Sequence, residues 1–446
     1  MRDSDTIYAF STAPGRAAIA VLRLSGPGAK DVLKALGGKL PMPRRAAVLN
    51  FADPASGETI DRGLALYFPG PSSHTGEDMA EFHLHGGRAV ADAMLTALAK
   101  MPGLRLAEPG EFTRRAFFNG KLDLTEAEGV ADLNEAETGA QRRQALRQAS
   151  GETAKIYEDW RHRLLAAQAR LEAEIDFPEE GLPENLRREA AEQISALAGE
   201  ISATLHDNRG GEILRSGFQV AILGPPNAGK SSLLNALARR EVAITSAIAG
   251  TTSDVIEVAL DLAGYPVMLA DTAGLRAAQG EIEEEGVRRA RARARHADLK
   301  LVVLDATKPE EAKTLGELFG GDTLVVVNKM DLAPKDHATW ADKLGSGQAI
   351  KVSVKTGAGL AELEAKLRES VAARFSGGAA PLITRVRHRQ ALEACAAALV
   401  RFPQCEAPEL AAEELRRAVR ELGRITGRVD VEDLLDVLFR EFCIGK

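Results

Sequence analysis

The stretch GPPNAGKS, Gly224–Ser231, leaves a chain little choice of local fold. It fits the spacing GxxxxGK[ST], which works as the turn between a buried strand and a helix, where backbone N–H groups converge on an anion. The flanks supply both elements: FQVAIL before it is an unbroken apolar run, and SLLNALARR after it has a helical pattern. Runs of the same kind, YPVMLA, LKLVVL and LVVV, recur between residues 216 and 375. Strands that are apolar on both faces belong to a mainly parallel sheet covered by helices. In such a loop Asn227, Ala228 and Gly229 wrap phosphates with backbone N–H groups. Lys230 brings a point charge to the β and γ oxygens, and Ser231, followed by Ser232, offers a hydroxyl to Mg²⁺.

Three further stretches select the base. In LADTAGL, Asp271 ends a strand where it can hold Mg²⁺ through water, and Thr272, Ala273 and Gly274 follow it toward the γ-phosphate. In NKMD, after LVVV, the carboxylate of Asp331 can accept from guanine N1–H and the exocyclic 2-amino group together, a donor pair adenine lacks. Asn328 and Lys329 brace that loop and cover the base. Ser353, Val354 and Lys355 place a backbone N–H where the guanine oxygen would lie. GTTSD, Gly250–Asp254, puts Thr251 or Thr252 in reach of Mg²⁺ when a γ-phosphate is present. The expected nucleotide is GTP.

At 446 residues the chain exceeds a single core. We read residues 1–119 as an α+β domain and 120–215 as the first half of a helical domain. Residues 216–375 form an inserted α/β domain, and 376–446 the second helical half. Ala18–Gly26, Leu64–Pro71 and Ala80–Gly87 read as strands, and Gly87–Met101 as a helix. Ile156, Trp160, Leu164, Leu171 and Ile175 form one helical stripe. Ala190, Ile194, Leu197, Ile201 and Leu205 form a second, ended by NRGG. No apolar run reaches membrane-spanning length, and MRDSDTIYAF lacks the pattern of a secretory signal. Three cysteines without CxxC spacing fit a reducing cytoplasm. The net charge of −7 means that any RNA contact must use a local patch or a partner. TRVRHR, Thr384–Arg389, is a candidate patch; RRARARARH, Arg288–His296, reads as a solvated helix. His83 and His85 alternate on one strand face, where strand-end packing or contact with a bound ligand is expected rather than a metal.

The chain resembles the MnmE (TrmE) family of tRNA-modification GTPases nearly end to end. The resemblance rests on TIYAFSTAPGRAAIAVLRLSG, HTGEDMAEFHLHGG, PGEFTRRAFFNGKLDLTEAE, GPPNAGKSSLLN, IAGTTSD, DTAGLR, NKMD and the final CIGK. It implies a multidomain α/β fold: an N-terminal α+β domain similar to folate-binding enzymes, an all-α domain, and an inserted Ras-like P-loop domain. It implies a cytoplasmic homodimer joined through the N-terminal domains, with no membrane contact. The partner is the flavoprotein MnmG, in a heterotetramer. The reaction places an aminomethyl or carboxymethylaminomethyl group on C5 of the tRNA wobble uridine, with a one-carbon unit from 5-formyltetrahydrofolate or a related folate. By the same resemblance Arg23, Glu81, Lys121 and the terminal Lys446 hold the folate. A ribosome-assembly GTPase without folate chemistry is the competing reading, disfavoured by the acidic total and the folate-like N-terminal third.

Leu275 stands where Ras-like proteins carry the glutamine that orients the attacking water, and it has no polar group. The resemblance supplies the substitute: K⁺ beside the phosphates, held by the Asn227 side chain and the backbone oxygens of Ser246 and Ile248. Thr251 is nearby, and Ala247 and Ala249 complete the stretch to Gly250. The family's essential glutamate matches Glu283. Family members commonly carry arginine where Ser253 stands, and Cys443 has no base beside it in sequence. Glu283→Ala is expected to abolish turnover while leaving GTP affinity nearly intact; a stopped-flow binding titration beside a phosphate-release assay checks this.

Overall fold

The computed structural model describes residues 5–176, 185–207, 209–240, 243–244, 257–271, 297–312, 322–333, 340, 349–375, 381–429, 435, 438–439, 442 and 444–445. These fall into two compact units. The first comprises residues 1–131, 148–169 and 415–446, and the second residues 132–147 and 170–414.

The first unit is built on a sheet of β1 (Thr6–Phe10), β2 (Ala17–Ser25), β3 (Ala47–Ala52), β4 (Thr59–Phe68), β5 (Met79–Gly86) and β6 (Leu104–Leu106). Among the described residues its order is β3-β4-β5-β2-β1-β6, antiparallel except where β1 meets β6. The period-two alternation of each strand sorts its side chains. Leu22, Leu24, Phe51, Phe82 and Leu84 pack under α1 (Ala29–Gly37) and α2 (Arg88–Ala99), against Leu33, Leu36, Met94 and Leu98. On the other face Ile7, Ala9 and Met79 meet Phe112 of α3 (Glu111–Phe118). The strands expected from sequence appear as β2, β4 and β5, with β4 starting five residues early.

A charged network ties α3 to the sheet. Arg105 donates to both oxygens of Glu111 at 2.8 and 2.5 Å, and Arg115 reaches Glu111, Asp5 and Glu77 at 3.1, 2.8 and 3.1 Å. α4 (Leu124–Glu135) begins with a reciprocal cap: Asp123 N–H donates to Glu126 Oε2 at 2.7 Å, and Glu126 N–H to Asp123 Oδ1 at 2.8 Å.

Helices then follow: α5 (Gly139–Ala149), α6 (Glu152–Asp176), α7 (Asn185–Leu205) and α8 (Gly210–Ser216). On α6 the buried stripe runs through Tyr157, Trp160, Leu164, Ala167 and Leu171, whereas Ile156 is exposed. The i+4 spacing pointed to the wrong neighbour of Tyr157, because an aromatic ring fills the space Ile156 was expected to fill. On α7 the expected stripe Ala190, Ile194, Leu197 and Ile201 is buried. NRGG does more than end a helix, since Gly210 and Gly211 open α8.

The second unit also holds the nucleotide-type sheet. Its strands are β7 (Phe218–Leu223), β8 (Ala243–Ile244), β9 (Glu257–Leu262), β10 (Tyr265–Asp271), β11 (Leu299–Asp305), β12 (Thr323–Asn328) and β13 (Ile350–Lys351). The order is β13-β12-β11-β7-β10-β9-β8, parallel from β13 to β10 and antiparallel beyond. α9 (Lys230–Arg240) and α10 (Leu360–Arg374) cover it, burying Leu233, Leu234, Leu237, Leu363, Leu367 and Val371 against Val220, Ile222, Leu269, Val303 and Val326. α11 (Val386–Arg401) and α12 (Pro408–Thr426) complete the described helices, with Leu392, Cys395, Leu399, Leu415 and Leu422 inside. The chain is therefore a multidomain α/β protein with an α+β N-terminal part, helical segments and a P-loop-type domain.

Glu111 supplies a pH test. Burial works against its charge, but Arg105, the Glu108 N–H and Arg115 outweigh that and hold its pKa below the ordinary value of 4.5. A depressed carboxyl contributes stability above its unfolded pKa and loses it as pH falls through the folded one. Glu111→Gln is expected to cost roughly 2–3 kcal/mol at neutral pH, the range for hydrogen bonds to a charged group. The gap from the parent should close below the ordinary carboxylate range, read by denaturant melts across pH.

Candidate guanine-nucleotide site and a charged cluster on the N-terminal sheet

The parallel strands end together along one edge. Asp271 pairs with Ile222 near the end of β7, and Asp305 pairs with Asn328 at the ends of β11 and β12. β7 lies between β10 and β11, where the direction of strand succession reverses, and in open parallel sheets ligands bind at that crevice. The loop Gly224–Gly229 leaves β7 there and runs into α9. Both its end glycines are tightly enclosed: a Cβ on Gly224, at φ +143°, would fall 2.1 Å from Val303 O, and one on Gly229, at φ +95°, 2.3 Å from Asn328 Nδ2. Asn227 sits exposed at φ 62°, a left-handed backbone that asparagine tolerates better than most residues. Lys230 is 5% exposed and donates to Gly224 O at 2.9 Å and Pro225 O at 2.7 Å. The ammonium is thus held inside the curl of the loop, where phosphate oxygens would compete for it. Ser231 and Ser232 are exposed in the first turn of α9.

Asn328 holds three loops at once. Its Nδ2 donates to Ala228 O at 2.9 Å, and its Oδ1 accepts from Val354 N–H at 3.2 Å. At 3% exposure this amide is satisfied from both ends. Ser353 Oγ donates to Asp331 Oδ1 at 2.7 Å, leaving Asp331 itself exposed at the rim beside Lys355. Lys329, at φ 65°, reaches Asp305 Oδ2 at 2.6 Å. Partial burial opposes the Asp305 charge, yet hydrogen bonds from Lys329 and Thr307 outweigh it and depress the carboxyl's pKa. Sequence reading missed Asp305 and Thr307; the only signal was the DATK that follows LKLVVL. Asn227, Ala228, Gly229, Lys230, Asn328, Lys329, Asp331, Ser353 and Val354 are gathered along this edge. Only the backbone of Asp271 is described. Ser246, Ala247, Ile248, Ala249, Gly250, Thr251, Thr252, Thr272, Ala273, Gly274 and Glu283 lie outside the described residues, as do Ser253, Leu275 and Arg288–His296.

On the N-terminal sheet, register puts Arg23 of β2 opposite Glu81 of β5. Arg23 Nε and Nη2 both donate to Glu81 Oε1, at 3.1 and 3.0 Å, and Arg23 lies 6.0 Å over the Phe112 ring. His83 Nε2 is 3.3 Å from Glu81 Oε2. Burial and the Arg23 charge lower the pKa of nearby His74, against the pull of Glu81. Lys121 is exposed beyond α3, and the described contacts do not tie it to this pair. Lys446 and Cys443 lie outside the described residues. The two histidines expected at the strand end part company: His83 joins Glu81, while His85 Nδ1 pairs with Asp61 at 2.8 Å. Among the described residues no cluster of three metal-ligating side chains occurs. In TRVRHR, the candidate stretch for RNA or a partner, two of the three arginines are held in ion pairs: Arg385 meets Asp132 of α4, and Arg389 meets Glu212 of α8 and Asp207 in the turn before it.

A phosphate loop, a carboxylate set for guanine and a bracing asparagine on a mainly parallel sheet define a guanine-nucleotide-binding protein of the P-loop class. Two family models cover nearly the whole chain: "GTP-binding protein TrmE N-terminus" over residues 6–121 and "MnmE helical domain" over residues 124–443. Proteins named tRNA modification GTPase MnmE align throughout. That of Parvibaculum lavamentivorans is 56% identical, over 99% of this chain and 100% of its own length. Those of Paramagnetospirillum magneticum and Rhodospirillum rubrum are 55% and 53% identical, each over 99% of this chain and 100% and 99% of their own lengths. The chain belongs to the MnmE (TrmE) family.

Asp331→Asn tests the base reading. An amide turns an N–H₂ toward the guanine 2-amino group, so GTP affinity should fall about 10²-fold, the worth of hydrogen bonds to a charged acceptor. Xanthosine triphosphate, with an oxygen at that position, should bind better than GTP; competition with a fluorescent nucleotide measures both.

Proposed function

We propose that this chain is a K⁺-stimulated GTPase that works in tRNA modification. As a homodimer in the cytoplasm, with the flavoprotein MnmG, it installs an aminomethyl or carboxymethylaminomethyl group on C5 of the wobble uridine, drawing on a folate one-carbon unit. GTP hydrolysis in tRNA modification is the activity for which its full-length relatives are named. The observation that carries the nucleotide part is the Asn328 bridge, which fixes the phosphate loop, the Asp331 turn and Val354 as one receptor. We assign residues 216–375 to the hydrolase domain, inserted between helical segments 120–215 and 376–446, with residues 1–119 as the N-terminal domain.

The residues present suit each implied ligand. Lys230 exchanges its bonds to Gly224 O and Pro225 O for phosphate oxygens. Ser231 and Thr252 would hold Mg²⁺, with Asp271 behind them. Asn227 offers a neutral amide oxygen at the loop rim, a good ligand for an alkali cation. A cation there would supply charge against the charge that builds as the terminal phosphate is cleaved, so no glutamine is needed at Leu275. Glu283 would orient the water.

For the folate, Arg23 and Glu81 form a partly buried pair at 24% and 17% side-chain exposure, with His83 at the second carboxylate oxygen. A carboxylate so held suits paired hydrogen bonds to the amide edge of a pterin, and a guanidinium suits its carbonyls or carboxylates. Lys121 and Lys446 would add charge. The homodimer reading is supported by the same sheet. Val48, Leu64 and His83 stand opposite one another across β3, β4 and β5, and Val48 and Leu64 are 57% and 38% exposed. Apolar strand positions left uncovered fit a second copy. Among the described residues no helix is long and apolar enough to cross a membrane.

Two measurements test the reading. Nucleoside analysis of tRNA from cells lacking the chain should show the wobble-uridine modification gone; unchanged wobble uridines would remove the assignment. GTP turnover by the purified chain should be ~10-fold or more faster in potassium than in sodium chloride at equal ionic strength. Equal rates would remove the cation's role and leave the tRNA assignment standing.

A further inference from the structure

We infer that Asp132, which takes no part in either site, is a positioning residue that couples the state of the nucleotide loops to the helical segments carrying the hydrolase domain. The inference rests on the function proposed above. Two connectors join that domain to its helices, a leading one that ends at residue 217 and a trailing one described over residues 381–389. Asp132, in the last turn of α4, holds both. Its Oδ1 accepts from Arg215 Nε of the leading connector at 2.9 Å and from Arg385 Nη2 of the trailing one at 2.7 Å. The carboxylate is 10% exposed and the two guanidiniums 32% and 11%.

A second clasp reinforces the first. Arg389 donates to Leu205 O at 3.0 Å, Asp207 Oδ1 at 2.9 Å and Glu212 Oε2 at 3.0 Å, again tying trailing to leading connector. The connectors touch where Gly211 lacks a side chain, since a Cβ there would fall 2.2 Å from Ile383 O.

From this joint two stiff elements run to the nucleotide loops. β7 begins two residues after Ser216 and ends at Leu223, next to Gly224. α10 begins five residues after Lys355 and ends at Arg374, whose carbonyl lies beside Gly210 of the leading connector. A displacement of either loop is therefore carried to the leading connector by a strand or a helix. Beside the clasp lies a cleft of about 540 Å³, with Glu135, Gln141 and Gln144 on the helical side and Gly217, Pro266 and Met268 on the sheet side. The joint thus has open space into which it can shift. Its charge makes it responsive: one carboxylate oxygen accepts from two guanidiniums, and removing its charge weakens both bonds together at reduced exposure.

The test compares Asp132→Asn and Asp132→Glu with the parent in the full-length chain. Three quantities are read: GTP turnover, wobble-uridine modification in a complemented deletion strain, and hydrogen exchange of residues 205–216 and 381–389 with GDP or a non-hydrolysable GTP analogue. Asp132→Asn should keep turnover within about twofold and lose modification about tenfold, within the range by which coupling residues act. Its connectors should no longer exchange differently with the two nucleotides, and Asp132→Glu should recover both effects. Turnover, modification and melting temperature falling in parallel would make Asp132 a folding residue only and overturn the inference, as would undiminished modification. A parent chain that fails to modify tRNA refutes the proposed function instead, and the exchange difference then decides the clasp alone.

Discussion

Asn328 is the residue on which the nucleotide edge depends. A buried primary amide must satisfy both its ends, and here the two ends are taken by different loops, Ala228 O on one side and Val354 N–H on the other. The phosphate loop, the guanine-selecting turn and the loop after β13 therefore cannot move independently. The sheet makes this possible. β7, β11 and β12 run parallel, so their carboxyl ends, and the loops that leave them, arrive at one edge. Lys329 is drawn off to Asp305, and Lys230 is kept in the curl of its own loop, so these two lysines are already placed.

The N-terminal unit solves a different problem with similar means. Its sheet is antiparallel apart from the β1–β6 pair; α1 and α2 cover one face, and α3 meets the other while leaving room there for polar groups. Arg23 and Glu81 face each other by strand register alone, and α3 closes over Arg23 with Phe112. The position of α3 in turn rests on Glu111, Arg105, Arg115, Asp5 and Glu77, a network in which each carboxylate has a guanidinium partner. A cluster like Arg23–Glu81–His83 keeps its shape only if the elements that carry it are held so firmly.

Several parts of this were legible in the chain. The glycine–lysine spacing forced a strand–loop–helix unit at residues 218–240, and the apolar runs marked β10, β11 and β12. The N-terminal motifs carried the family resemblance by themselves. Other parts were not. Ile156 and Tyr157 are adjacent on α6, and periodicity could not tell which faces inward. TRVRHR looked like a surface for RNA because charge was counted without its partners. Asp132, Asp207 and Glu212 lie between about 170 and 260 positions away in sequence from Arg385 and Arg389 of that stretch.

The sequence by itself determined the nucleotide class, the strand–loop–helix unit of residues 218–240 with the apolar strands beside it, and the family. These follow from local spacing: a motif of eight residues carries its own turn, and an apolar period carries its own face. Only the tertiary structure decided that Asn328 bridges two loops, that Asp305 is the partner of Lys329, and that one carboxylate, Asp132, meets arginines from both connectors. Those pairings join residues from about 20 to about 250 positions apart. Hydrogen-bond geometry selects a partner by distance in space, and that distance exists only once strand order and helix packing have brought the chain back on itself.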